Sequence, residues 1–327
     1  MGHPLLEVKD LQTYFFTRWG VVKAVDRVSF ALSEGESLGI VGESGCGKSV
    51  TALSILRLVP QPAGRIVGGE ILLDGEDLLG KSAREMRRVR GSRISMILQD
   101  PMSSLNPVFT VGEQIAEALR IHQGLRGPGL WEQAREMLGL VKIPSPELRL
   151  RAYPHQMSGG MRQRVVGAIA LSCRPGILIA DEPTTSLDVT IQAQYLRLLK
   201  GLQREMGLAL IFITHDFGIV ARMCDRVAVM YAGRIVESAG VRELFNRPRH
   251  PYTVALLNSV PRLERKVERL VSIEGQPPPL YDLPPGCPFA PRCAHAREVC
   301  RREYPAEAAV ADGHRASCWK VVEGWDG

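Results

Sequence analysis

Chemistry in this chain concentrates first at Gly42-Glu43-Ser44-Gly45-Cys46-Gly47-Lys48-Ser49, which satisfies G-x-x-x-x-G-K-[ST] at every fixed position. Glycines let the backbone turn so tightly that successive N–H groups face one point, together with the positive end of a following helix. A polyanion such as the β- and γ-phosphates of a nucleotide fits that cradle. Lys48 adds a point charge on the phosphates, and the Ser49 hydroxyl can complete the shell of a bridging Mg2+. A glycine turn without a ligand would need the preceding strand, the Lys-Ser pair and the following helix to coincide by chance.

A second group is acidic. The apolar run Gly176-Ile177-Leu178-Ile179-Ala180 ends in Asp181-Glu182. Acidic residues end many buried strands, so the pair says little alone. Beside Lys48 and Ser49 it becomes a catalytic candidate, with Asp181 holding Mg2+ and Glu182 orienting, or taking a proton from, an attacking water. Thr214-His215 ends the next apolar run, Leu208 to Ile213. A lone histidine is often a cap or a packing residue, but this position at the end of a neighbouring strand points to a γ-phosphate contact. Gln99, taken alone, is a polar loop residue. Ser158-Gly159-Gly160 opens a helix and so makes a second phosphate-binding N-terminus. One chain does not need two, and the second makes sense if it completes a nucleotide bound on a partner subunit.

A third group is sulfur. Of seven cysteines, Cys46, Cys173 and Cys224 are scattered, whereas Cys287, Cys293, Cys300 and Cys318 crowd the last 41 residues. Met1-Gly2-His3-Pro4-Leu5-Leu6-Glu7 lacks a basic n-region and an apolar h-region, so a cytoplasmic location is expected, and there clustered cysteines are ligands more often than disulfides. The spacing C-x5-C-x6-C-x17-C allows four thiolates to converge, but it matches neither a common ferredoxin run nor paired C-x2-C knuckles. Iron–sulfur, zinc and reduced free thiols all stay open on residue chemistry alone.

These residues need elements to position them. Leu38-Gly39-Ile40-Val41 predicts a buried strand entering the phosphate loop, and residues 50–56 a helix leaving it. Residues 5–41 alternate short apolar runs with turn signals at Gly20 and Glu34-Gly35, and Gly68 to Glu76 adds a strand punctuated by Asp-Gly, so antiparallel sheet is expected early. From Thr110 to Leu140 the apolar period lengthens to a helical one, broken at Gly124 and Gly127-Pro128-Gly129. Met161 to Ser172 predicts a further helix, and Arg226 to Glu237 a hairpin. Strands alternating with helices argue for a parallel α/β sheet with ligands at the carboxyl ends of strands.

The 327 residues are 45% apolar and 23% charged, as in a folded soluble protein, and no apolar run approaches the ~18 residues that span a bilayer. The net charge of +6 is modest for this length. Its densest stretch, Arg84, Arg87, Arg88, Arg90 and Arg93, carries no interleaved aromatics, which favours a solvated face over a nucleic-acid groove.

With these motifs in this order, residues 5 to 245 resemble the ATP-binding-cassette (ABC) ATPases, which are P-loop NTPases. The resemblance implies a mixed parallel core sheet, an antiparallel β subdomain and a helical subdomain. It implies that Gly42, Ser44, Gly45, Gly47, Lys48, Ser49 and Val50 bind ATP, that Ser49, Gln99 and Asp181 serve Mg2+, and that Glu182, His215 and Gln99 serve catalysis. Ser158-Gly159-Gly160-Met161 corresponds to the signature motif, with Met157 where Leu is usual and Met161 where Gln is usual, and Ser186-Leu187-Asp188 to the D-loop. Phe15 is the candidate for stacking on adenine, with Tyr14, Phe16 and Trp19 nearby. A head-to-tail dimer follows, each ATP lying between Lys48 of one subunit and Ser158-Gly159-Gly160 of the other.

The tail is similar to that of the dipeptide and oligopeptide importer ATPases, on Cys287-Pro288-Phe289-Ala290-Pro291-Arg292-Cys293, Gly275-Gln276-Pro277-Pro278, Gly313-His314-Arg315 and the linker Asn246 to Thr253. That likeness implies a [4Fe-4S] cluster on the four cysteines, zinc being the alternative. It also implies a second ATPase subunit, two membrane permeases and an extracytoplasmic peptide-binding protein, at the cytoplasmic face of the membrane and without nucleic acid. The expected division is a nucleotide-binding domain over 1–248, its helical subdomain about 100–165, and a cysteine-rich extension over 249–327. A soluble ABC ATPase acting on nucleic acid, or an importer of another solute such as nickel, is the alternative.

Overall fold

A computed structural model describes residues 3–100, 104–185, 187–259 and 273–325 of the chain. Ser186 of the expected D-loop and residues 260–272 of the expected extension lie outside the described residues. The chain forms two compact units that interleave along the sequence. One comprises Pro4–Leu32, Ser37–Leu79 and Ile213–Gly327, the other Met1–His3, Ser33–Glu36 and Gly80–Phe212.

In the first unit, β1 (Leu6–Thr17), β2 (Gly20–Leu32), β4 (Gly64–Leu73) and β5 (Glu76–Asp77) make an antiparallel sheet in the order β2-β1-β4-β5. Leu6 stands opposite both Leu32 and Leu73; alternation buries Leu6 and Val8, and Leu11 is buried too after an irregularity at Asp10, whose φ is 46°. β3 (Ser37–Val41), buried at every position, pairs in parallel with β9 (Arg226–Tyr231). It must be apolar because it is covered on both faces. β10 (Arg234–Gly240) closes the expected hairpin on β9 through Ala232 and Gly233, both at positive φ. The hairpin of β11 (Ala308–Ala311) and β12 (His314–Ala316) then pairs with β10 through β12. Tail and nucleotide-loop sheet therefore share hydrogen bonds within one unit.

In the second unit, β6 (Ile94–Ile97) pairs in parallel with β7 (Ile177–Asp181). β8 (Ala209–Thr214), next to β7, begins in this unit and ends in the other. The helical period read from the sequence appears as Val111–Gln123 and Gly127–Leu140, broken where the glycines stand: Gly124 caps the first at φ 69°, and Pro128 sits in the first turn of the second. Thr110 and Glu113 form a capping box on the first helix. Arg84, Arg87 and Arg88 lie exposed on the helix Ala83–Val89. Among the described residues no helix is long and apolar enough to cross a membrane.

Candidate ATP site and cysteine centre

The phosphate loop runs from the end of β3 into the helix Lys48–Ile55. Gly47 caps that helix at φ 108°, and a Cβ there would fall 2.1 Å from the carbonyl oxygen of Ala24. A side chain at 42 would meet the Met230 carbonyl equally closely. Both positions must therefore be glycine. Lys48 Nζ, nearly buried, donates to the carbonyls of Gly42 at 2.8 Å and Glu43 at 3.0 Å, so the ammonium lies inside the ring of the loop. Ser44 and Gly45 are exposed, and Ser49 and Val50 half-buried.

Thr13 Oγ1 meets Ser54 Oγ of the loop's helix at 2.8 Å. Strand alternation carries Phe15, two residues on, along that same face, where its ring packs against Gly64. Tyr14 points the other way and donates to Asp26 at 2.9 Å, while Phe16 and Trp19 are 46% and 64% exposed. Among the four aromatics, Phe15 is thus the one on the face of the nucleotide loop's helix. His215 is exposed at the carboxyl end of β8, directly before Asp216, which caps the helix Phe217–Met223.

In the second unit, Asp181 is the last, buried residue of β7, and Glu182 follows with φ 43°, a conformation side chains rarely adopt. Gln99 Nε2 donates to Glu182 Oε2 at 2.9 Å, and Thr185 Oγ1 donates to the same oxygen at 3.2 Å. Two sequence-distant candidates, Gln99 and Glu182, are brought into contact, at a backbone position whose strain has the character of an active site. Ser158 caps the helix Gly159–Leu171, accepting from the Met161 N–H at 3.4 Å, with Ser158 and Gly159 exposed and Met157 buried beneath them. Asp188 caps the helix Val189–Met206 through the N–H groups of Thr190 and Ile191.

Cys287, Cys293, Cys300 and Cys318 line one small cavity, closed by Phe289, Pro305, Trp319 and Trp325. Each sulfur has a backbone N–H turned to it: Phe289 for Cys287, His295 for Cys293, Arg297 for Cys300, and Lys320 and Val321 for Cys318. Burial pushes the Cys287 thiol up to about 12, and the other three cysteines add to the rise. Among the described residues no group of three or more His, Cys, Asp or Glu side chains is gathered as a site for one metal ion.

Several partners of the phosphate loop carried no sequence signal. Glu43, at the first variable position, donates its N–H to Tyr252 Oη at 2.9 Å, and its carboxylate receives Arg292 at 2.7 and 3.0 Å. Tyr231, Tyr252 and Phe289 pack ring on ring beside this pair, with centroids 4.5 to 5.4 Å apart.

Residues 25–185 match the family described as ABC transporter, and residues 236–300 the family described as oligopeptide/dipeptide transporter, C-terminal region. A solved ATP-binding cassette, a dimer in a post-hydrolysis state bound to ADP and Pi, superposes with a TM-score of 0.65 at 26% identity, over 72% of this chain and 99% of that one. The fold and loop thus define an ABC ATPase, a class that hydrolyses ATP to drive transport. The chain is 57% identical to a probable peptide ABC transporter ATP-binding protein of Sinorhizobium fredii, over 98% of this chain and 96% of that protein. It is 52% identical to the dipeptide transport ATP-binding protein DppD of Bacillus subtilis, over 96% and 94%. With the oligopeptide transport ATP-binding protein OppD of Salmonella typhimurium it shares 51%, over 98% and 94%. The chain belongs to the dipeptide/oligopeptide family of ABC transporter ATP-binding proteins.

Proposed function

We propose that this chain powers import of dipeptides or oligopeptides, as one ATPase subunit of a transporter with two membrane permeases and an extracytoplasmic peptide-binding protein. Gly42, Ser44, Gly45, Gly47, Lys48, Ser49 and Val50 hold the phosphates of ATP, with Phe15 against the adenine. Ser49, Asp181 and Gln99 would supply oxygen ligands of the kind that suit Mg2+, and the ion would offset charge on the phosphates. Glu182 orients a water and accepts its proton, and His215 contacts the γ-phosphate. Ser158-Gly159-Gly160, beside the helix that Asp188 caps, completes with Asp188 the ATP held by a second ATPase subunit, identical or homologous.

The observation that carries this proposal is the Glu182 carboxylate, presented at the end of β7 by Gln99 and Thr185. Gln99 lies just beyond β6, so a change at Glu182 reaches the end of that strand through one hydrogen bond. Val108 and Phe109, just before the helix Val111–Gln123, are 71% and 50% exposed, apolar surface that suits a permease at the cytoplasmic face. Glu182→Gln keeps the shape of the side chain and removes the base. It should leave ATP binding intact, abolish turnover and accumulate ATP-bound dimers; retained hydrolysis would refute the assignment.

We infer a nucleotide-binding domain over 1–248, with a helical subdomain about 100–165, and an extension over 249–327; the C-terminal family match over residues 236–300 supports a distinct tail, though it begins before that boundary. For the cysteines we infer a [4Fe-4S] centre. Four sulfurs around one cavity, each with an N–H donor, suit thiolates shared by a multi-iron cluster better than a single zinc ion. Its role would be structural, tying together a tail with little core of its own.

A further inference from the structure

The phosphate loop is gripped from outside its motif. Glu43 is fixed at three points: its N–H on Tyr252, its carbonyl on Lys48 Nζ and its carboxylate on Arg292. Arg292 engages that carboxylate with both ends of its fork, Nη1 to Oε2 at 2.7 Å and Nη2 to Oε1 at 3.0 Å. Its remaining donors are also used, Nε on the carbonyl of Glu274 at 2.9 Å, Nη2 on that of Ile273 at 3.3 Å and Nη1 on Tyr231 Oη at 3.3 Å. The Arg292 side chain is 3% exposed against 28% for Glu43, and the rings of Tyr231 and Phe289 flank the guanidinium at 5.9 Å. A buried, planar, fully engaged fork is a fixed object, unlike a solvated surface ion pair.

Two physical consequences follow for the loop. A carboxylate within a phosphate cradle opposes an anionic ligand, and Arg292 neutralises it. The same fork immobilises the residue whose carbonyl places Lys48. Arg292 closes the short turn Ala290–Arg292, and the next residue is Cys293 of the cysteine cavity. The clamp on the phosphate loop is therefore one peptide bond from the cysteine centre.

We propose that Arg292 is a positioning residue for ATP: by neutralising and immobilising Glu43 it lets the cysteine-bearing extension set the affinity of the phosphate loop. This rests on the assignment of the ATP site above. The test is a double-mutant cycle in the full chain, read as KM and kcat for ATP hydrolysis. Arg292→Gln leaves an uncompensated Glu43 charge in the phosphate loop and should raise KM about tenfold, the worth of one charged hydrogen bond, with kcat changed less. In the Glu43→Gln background the same substitution should change KM by less than about threefold, because the uncompensated charge is gone. Arg292→Lys, which keeps the charge but not the fork, carries the same cycle in milder form if Arg292→Gln does not fold. Additive effects in the cycle, or a wild-type KM in Arg292→Gln, would overturn the proposal while leaving the site assignment standing. Lys48→Ala tests that assignment separately: ATP affinity equal to wild type there would overturn both.

Discussion

Gly159→Asp isolates the shared-site geometry from every other property of the chain. A Cβ on Gly159 meets nothing within 4 Å and its φ is not positive, so the backbone accepts a side chain without strain. Gly160 is unsuitable for this purpose, because a Cβ there would lie 2.6 Å from Cγ2 of Ile191. The helix Gly159–Leu171 has no acidic residue in its first turn, and an aspartate there gains about 0.3–1 kcal/mol from the helix dipole. The isolated subunit should therefore melt at or slightly above the wild-type temperature. Across the interface the same charge faces a phosphate. At about 5 Å and an effective dielectric of about 20, each phosphate charge is repelled by roughly 3 kcal/mol, which weakens ATP-driven association about two-hundredfold for each shared site that carries the substitution. The assay is sedimentation of the ATPase subunits with ATP, all carrying Glu182→Gln to stop turnover, alongside ATP binding by the monomer. Closed dimers at wild-type protein concentrations would refute the shared site, as would a monomer whose own ATP affinity drops tenfold.

Two further outcomes are expected from the first unit. Asp26 accepts from Arg234 at 2.6 and 2.9 Å and from Tyr14 at 2.9 Å. Burial alone would raise its pKa, but the hydrogen bond and charge of Arg234, with Tyr14 and Lys23, hold it below the usual carboxylate value. Since the folded pKa is the lower one, this stabilisation is present above about pH 4 and fades as pH falls through the folded pKa. Asp26→Asn should cost roughly 2 kcal/mol at pH 7, between the surface and buried limits for an ion pair, and less near pH 3, read as melting temperature against pH. For the cysteine centre, anaerobically purified protein should contain iron and acid-labile sulfide, and stripping the iron should lower the melting temperature; zinc without sulfide, or four freely titrating thiols, would exclude the cluster.

Much of the site was legible in the residues because its chemistry is local in sequence. A phosphate loop is made by consecutive backbone groups, so Gly42 to Ser49 state their function without reference to the rest of the chain. Asp181-Glu182 and His215 could be placed because a buried strand is a short apolar run and its end is a defined position. The helical breaks at Gly124 and Pro128 were legible for the same reason, since capping chemistry resides in one or two residues.

Other features had no local signal. Glu43 fills a position the motif leaves free, and Arg292 stands in a stretch that marks the tail's family likeness without pointing to the phosphate loop. Only folding brings the two together, 249 residues apart, and only burial turns two ordinary charges into a fixed clamp. The strained φ of Glu182 and its bond from Gln99 likewise depend on β6 lying beside β7. Spacing left the cysteines free to converge or to stay apart, and the tertiary arrangement set them around one cavity. The sequence by itself determined which groups can hold a nucleotide, because those groups are neighbours along the chain. The tertiary structure alone decided what steadies them, because a long-range ion pair exists only once the loop entropy between its partners has been overcome by packing.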